Sequence, residues 1–438
     1  MDEKDTKDTK DTKKIDEEKT QLIEYISSNL TEYEQGEILH EFKIDQVYFT
    51  GQLHNKINNK LNYNSNKFND LIFNAKLSDR YNIIIGDHIY YRYEIMYELG
   101  KGVYGNVIKS LDHSTQNKIA LKIYKNSYYY DNASIKEINI LQLIKDNYCD
   151  DRDYVLIIQD SFIFRNHYCM VSNLYGLNLY DNRCEIKNFT FLNKLQIIQD
   201  IFHGLEFLKN GCGEITIIHG DIKPENIFMK SSSKFPEVII GDFGLSKKIS
   251  KGTHYDNDFI LQSLYYKAPE IYFKIPYNET ADIWSIGCMI YEIFCDSVLI
   301  PTKKDRDHMI FTHQILGEPN KDYINTHKNI QYHYTNYKSK YLQDSSYITR
   351  FPSSNLKLSD KNFIPIYSKQ YKFNNNNTIT SDSTIKNMDF IKKEATYILN
   401  LIHKCLVYEL EQRITPLCGI EYINYVKHEY KNLSTNSS

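Results

Sequence analysis

Apolar residues recur along the chain in two rhythms. Short dense runs bounded by polar or glycine residues predict strands: Ile119-Ala120-Leu121-Lys122, Val155 to Ile158, Tyr168 to Val171, Ile215 to Ile218 and Val238 to Ile240. Longer stretches carry apolar residues at helical spacing: Ser134 to Ile144, Leu192 to Leu208, Phe390 to Tyr408 and Leu417 to Tyr430. Ala281 to Phe294 is apolar on nearly every face, which predicts a buried helix with Trp284 in the core.

The ends and one internal segment break these rhythms. Residues 1 to 20 repeat Asp-Thr-Lys, with Ile15 their one large apolar residue after Met1, and are expected to be a disordered tail. Leu22, Ile23, Ile26 and Leu30 have helical spacing, and Thr31-Glu-Tyr-Glu34 reads as a capping box opening a second helix. Val47 to Gly51 predicts a short strand, 53 to 70 an Asn/Lys-rich linker, and Tyr81 to Gly86 and Ile89 to Ile95 two further β-type runs. Residues 301 to 395 form a polar, Tyr-rich insert, whose low-complexity run, Asn374 to Asn377, is an expected mobile surface loop. The polar tail, 429 to 438, is expected to fray.

Composition changes little. With 438 residues, 41% apolar and 25% charged, this is the make-up of a globular protein. A net charge of -3 gives no reason to expect nucleic-acid or anionic-membrane binding. The eight cysteines make no CxxC pair or zinc spacing, so a reducing, intracellular setting is expected, cytoplasm and/or nucleus. Neither a signal-peptide core nor a bilayer-length apolar run is present. The 38 Tyr residues go with abundant Asn, Lys and Ile, which A/T-rich codons explain as well as any binding role.

Polar residues cluster where predicted strands end. His219-Gly220-Asp221-Ile222-Lys223-Pro224-Glu225-Asn226 follows Ile218, and Gly241-Asp242-Phe243-Gly244 follows Ile240. Between them they hold an Asp able to take a hydroxyl proton, a Lys for a phosphate, and Asn226 and Asp242 for Mg²⁺. Upstream, Gly100, Gly102 and Gly105 in Leu99 to Val107 let backbone N–H groups approach polyphosphate. By itself that spacing also fits a plain glycine hairpin; its place between two strands favours a flap over ATP above a dinucleotide turn. Lys122 on a strand and Glu137 on the next helix have the types and order of an ion pair, though either alone suits a solvated surface. Ser172-Asn173-Leu174-Tyr175-Gly176 reads as a connector, and Arg413 has a candidate partner in Glu270.

In this order the motifs resemble those of eukaryotic protein kinases over about 93 to 428, with Ala268-Pro269-Glu270 and Asp282-x-Trp284 adding to the set. Within them, Tyr91 to Ile95, Phe164 to Met170 and Leu177 to Tyr180 resemble segments of the DYRK family in the CMGC group. Leu30 to Ile38 and Val47 to Gly51 resemble the N-terminal accessory region of its class II branch.

The resemblance implies an α+β, bilobal fold: accessory region 21–92, small lobe 93–172, hinge 173–176 and helical lobe 177–428. It implies an ATP- and Mg²⁺-dependent Ser/Thr kinase acting on protein substrates, as a monomer. Asp221 would orient and deprotonate the hydroxyl, Lys223 contact the transferring phosphate, Asn226 and Asp242 bind Mg²⁺, and Glu137 position Lys122 on the α- and β-phosphates. Gly100, Lys101, Gly102, Val103, Tyr104, Gly105, Val107, Ala120, Lys122, Ser172, Asn173, Leu174, Tyr175 and Asp181 would bind the nucleotide, and Asp282 brace the catalytic loop.

The chain departs from the family at three positions. Gly220 replaces the catalytic-loop Arg that many kinases carry, Asp258-Phe259-Ile260 stands in place of Tyr-x-Tyr, and Leu264 replaces the Arg that pairs with the phosphate. Losing these together points to a loop that works without phosphorylation, with Tyr255 an ordinary loop residue. The rival readings are a pseudokinase scaffold and a small-molecule phosphotransferase. Intact phosphate- and metal-handling residues oppose the first, and the Ala-Pro-Glu and Asp282 motifs, which build a protein-substrate platform, the second.

Overall fold

The computed structural model describes residues 30–42, 46–51, 79–149, 152–230, 236–255, 262–303, 305–332, 335, 357–374 and 381–435. The predicted first helix up to residue 29, the whole of linker 53–70 and the 258–260 departure lie outside them. Contacts divide the chain into two units: Met1–Ile138 with Ile158–Leu174, and Asn139–Ile157 with Tyr175–Ser438.

The first unit is built on a six-stranded antiparallel sheet in the order β1-β2-β3-β4-β6-β5. Its strands are β1 (His88–Ile89), β2 (Tyr93–Lys101), β3 (Gly105–Asp112), β4 (Asn117–Tyr124), β5 (Ile158–Phe164) and β6 (His167–Asn173). The 89–95 run is interrupted because Tyr90 and Tyr91 take left-handed φ values of 57° and 51°, turning β1 onto β2. One sheet face buries Ile108, Ile119, Leu121, Ile123 and Val171 in a core that also takes Leu30 and Ile38. Ile38 lies on helix α1 (Glu32–Glu41), opened by the predicted capping box: Thr31 Oγ1 accepts from Glu34 N–H, and Glu34 Oε2 accepts from Thr31 N–H at 2.9 Å.

Charge inside this core is compensated. Glu37 accepts from the Tyr91 hydroxyl and, at 3.0 Å, from Arg165, while Glu34 meets His88 Nε2 at 3.2 Å. Burial beside Glu37 pushes the Tyr91 hydroxyl far above its usual range. Two expected strands are absent. Residues 47–51 have no ladder, although Tyr48 and Phe49 N–H both donate to Tyr91 O; residues 81–86 form a bend and turn instead.

In the second unit, helix α4 (Phe191–Asn210) and helix α6 (Thr280–Cys295) form the buried centre, with Trp284 fully enclosed. Before them come the last part of α2 (Tyr128–Asn147) and the short α3 (Arg183–Ile186). Two small antiparallel ribbons pair β7 (Ile215–Ile218) with β10 (Lys247–Ser250) and β8 (Ile227–Met229) with β9 (Val238–Ile240). Val155 belongs here, bridged to Ile240; its run is therefore not a separate strand, and β5 starts only at Ile158.

The 301–395 insert is largely helical: α7 (Asp305–Leu316), α8 (Lys321–Thr326), α9 (Asp360–Asn374) and the start of α10 (Ser381–Cys405). Met309, Ile310, Tyr323, Ile330 and Phe363 are buried; of the run expected to be a surface loop, residues 375–377 lie outside the described residues. The last helix, α11 (Pro416–Thr435), continues through most of the segment expected to fray. No described helix is long and apolar enough to cross a membrane.

Glu270, on the short helix α5 (Pro269–Phe273), meets Arg413 through both carboxylate oxygens, with both side chains fully buried. Removing one partner leaves an uncompensated buried charge. Arg413→Ala is expected to cost about 3–5 kcal/mol of unfolding free energy by urea denaturation. A loss under about 1 kcal/mol would show that Glu270 is satisfied otherwise.

Candidate active site

The candidate residues fall into a group on each unit. In the first, strand alternation does the sorting. Pairings Val107↔Lys122, Lys122↔Met170 and Ala120↔Ser172 put Val107, Ala120, Lys122, Met170 and Ser172 on the sheet face opposite the core. Lys122 Nζ lies 2.6 and 2.8 Å from the two Glu137 oxygens. Glu137 is 3% exposed, so the pair is a fixed, partly desolvated one and not two surface charges.

Leu99 to Val107 does bridge two strands, β2 and β3. Gly105 is demanded by packing: a Cβ there would lie 2.1 Å from Ile123 O. Gly100 has open space around it, and Gly102 only the Gly105 carbonyl 3.8 Å from where its Cβ would stand. Lys101 and Val103 are exposed, and Tyr104 is half-buried. Asn173 and half-buried Leu174 end the first unit after β6; Tyr175 opens the second.

In the second unit, β7 and β9 deliver their polar clusters side by side. His219 Nε2 lies 3.0 Å from Gly241 O, while its Nδ1 lies 3.2 Å from Asp221 N–H. Full burial holds His219 below its usual pKa, consistent with a neutral ring that donates at one nitrogen and accepts at the other. Asn226 Nδ2 donates to Asp221 O at 2.9 Å and to Asp221 Oδ2 at 3.2 Å. Lys223 Nζ is 2.7 Å from Asp221 Oδ2. Asp242 is exposed, held at φ 60° where the chain leaves β9. Asp181 stands apart, on a surface turn that it forms with Asn178.

Sequence reasoning missed Ser263. Its N–H and Oγ donate to Asp221 Oδ1 at 3.0 and 2.8 Å, and Lys223 Nζ donates to its Oγ at 2.9 Å. The only local signal was its position just before Ala268-Pro269-Glu270; the link to Asp221 is long-range. Gln262, beside it, donates its N–H to Gly220 O at 3.0 Å and its side-chain amide to Ala281 O and Ser285 Oγ.

Asp282 does not cap its own helix. Its two oxygens accept from His219 N–H at 2.7 Å and Gly220 N–H at 2.9 Å. Burial pushes its carboxyl up to about 7, against the pull of those two donors. A folded value above the ordinary 3.8 means that folding takes up a proton between the two. This group's contribution to stability is full below about pH 4 and lost as pH rises through about 7. Asp282→Asn is expected to remove that slope, so urea unfolding between pH 4 and 8 should be less pH-dependent in the variant than in wild type. Equal slopes would assign the dependence to other groups.

A family model described as protein kinase domain matches residues 93–430. The chain is 30% identical over 405 residues to the probable serine/threonine-protein kinase dyrk2 of Dictyostelium discoideum, covering 90% of this chain and 38% of that protein. It is 29% identical to a putative dual specificity tyrosine-phosphorylation-regulated kinase 3 homolog of Drosophila melanogaster, covering 89% and 44%. With dual specificity tyrosine-phosphorylation-regulated kinase 4 of Homo sapiens it shares 29% identity, covering 90% and 67%. The chain thus spans less than half the length of the first two relatives.

Proposed function

The chain belongs to the protein kinase family, in its DYRK branch, and from that premise we propose that it transfers the γ-phosphoryl group of ATP to Ser or Thr hydroxyls of protein substrates. The observation that carries this is the closed cluster of Asp221, Lys223, Asn226 and Ser263.

ATP with a divalent cation, Mg²⁺ in this reading, supplies the phosphoryl group and offsets its charge. The residues fit such a cation. Asn226 uses its amide N–H₂ on Asp221, which leaves its oxygen as a hard donor, and Asp242 offers an exposed carboxylate. Asp221 orients the acceptor hydroxyl and takes its proton. Lys223 brings positive charge to the transferring phosphate, and Lys122, held by Glu137, serves the α- and β-phosphates. Alignment and charge neutralisation are nearly all that this chemistry asks of a protein.

Asp221→Asn is expected to lower ³²P transfer from ATP to a Ser/Thr peptide library by about 10²–10⁴-fold. Equal incorporation by wild type and variant would overturn the reading.

The same reading includes an activation segment that needs no phosphate. Hydrogen bonds that need no phosphate support it: Gln262 N–H to Gly220 O, and Ser263 to the Asp221 carboxylate. Gly220, at φ 78°, adopts a backbone that glycine accepts without strain. Phosphatase treatment and Tyr255→Phe are each expected to leave the initial rate within about twofold, since the segment's anchors, Gln262 and Ser263, involve no phosphate. A rate drop above about tenfold, restored by autophosphorylation, would show phosphate control.

A further inference from the structure

Arg80 lies upstream of the 93–430 segment that defines the kinase domain, yet its guanidinium is spent on the glycine-rich loop. It donates to Gly102 O at 2.7 Å, Gly105 O at 3.2 Å and Asn106 Oδ1 at 2.6 Å. Asn106 is buried and passes the contact on, its Nδ2 donating to Glu98 Oε1 at 2.8 Å. One guanidinium thus ties the loop's turn to both strands that carry it. The neighbouring residue anchors the arrangement. Asp79 O accepts from Asn126 N–H at 2.7 Å, Asp79 Oδ2 lies 3.4 Å from Lys125 Nζ, and Lys125 N–H donates to Tyr104 O at 2.9 Å.

The consequence follows from peptide planarity. The peptide bonds of the described loop residues are trans, and in a trans unit the C=O and the following N–H point in opposite directions. Gly105 O also accepts from Gly102 N–H at 2.9 Å, but drawing the Gly102 carbonyl onto Arg80 turns the Val103 N–H away from it. We propose that Arg80 is a positioning residue for nucleotide binding: it fixes which way the loop's N–H groups point, and so prepares the loop for the polyphosphate. Arginine suits this because its planar fork serves several acceptors at once and stays charged; lysine serves fewer with poorer geometry. The inference rests on the reading of 100–105 as a nucleotide loop.

The test uses the full chain as wild type, Arg80→Ala and Arg80→Lys. Three quantities are measured: hydrogen exchange of the amides at 102–106 without nucleotide, ATP affinity by displacement of a fluorescent trinitrophenyl ATP analogue, and kcat against KM for ATP. Losing charge-assisted bonds, Arg80→Ala is expected to exchange about tenfold faster in the loop and to weaken ATP binding about tenfold. Its kcat at saturating ATP should stay within about twofold, as expected when only ground-state binding is lost. Arg80→Lys should fall between the two. Unchanged ATP affinity and loop exchange in Arg80→Ala would overturn the proposal. So would an affinity loss accompanied by faster exchange throughout the chain, which marks a merely structural role. Weaker ATP binding by Arg80→Ala in a chain that transfers no phosphate would sink the kinase reading and leave this one standing. An unchanged KM for ATP in an active enzyme would do the reverse.

Discussion

The candidate site depends on a buried acid, Asp282, that reaches Asp221 only through the backbone before it. Asp282 sits inside helix α6, the most enclosed helix of its unit, and accepts the N–H groups of His219 and Gly220. Two backbone donors converging on one acid fix the peptide planes that precede Asp221. A charge placed so deep is stable only with such partners, so helix and catalytic loop must fold together. From that anchored backbone, His219 reaches Gly241, Asn226 reaches Asp221, and the turn carrying Asp242 follows. The precision of the chemistry is inherited from the helix core.

A second theme is closure by groups already present in the chain. Where many kinases hold this segment with a phosphate and arginines, the chain has Gly220 and Leu264, and Ser263 and Gln262 make the contacts. These hydrogen bonds, of which Ser263's go to the Asp221 carboxylate, need no modifying event to form. The same economy holds in the first unit, where Glu34 and Glu37 are met within the fold by His88, Tyr91 and Arg165.

Element type was legible wherever local pattern and tertiary need agree. The capping box at Thr31, the amphipathic α4, the all-apolar α6 and the glycine loop between strands all follow from short-range chemistry. The misreadings share one cause. Val47 to Gly51 and Tyr81 to Gly86 have β-prone side chains, but a strand exists only if a neighbour offers an alternating row of backbone partners. Tyr48 and Phe49 find just the one carbonyl of Tyr91, while Phe49 spends its ring stacking on His113 at 4.1 Å. The insert is polar on average, yet it holds Met309, Ile310 and Phe363 at positions that become core, which average composition does not reveal.

The sequence alone determined the chemical inventory and its order: the Asp, Lys, Asn and second Asp, the Lys–Glu pair, and the glycines. Those are short motifs whose residue types, in the proposed function, suit phosphate and cation chemistry. Only the tertiary structure decided who holds them. Ser263 against Asp221, Gln262 against Gly220 and Arg80 against the glycine loop are partners separated by many residues, each an ordinary polar side chain with many possible neighbours. Residue type sets what a side chain can bond to; the packing of strands and helices selects which partner comes within 3 Å.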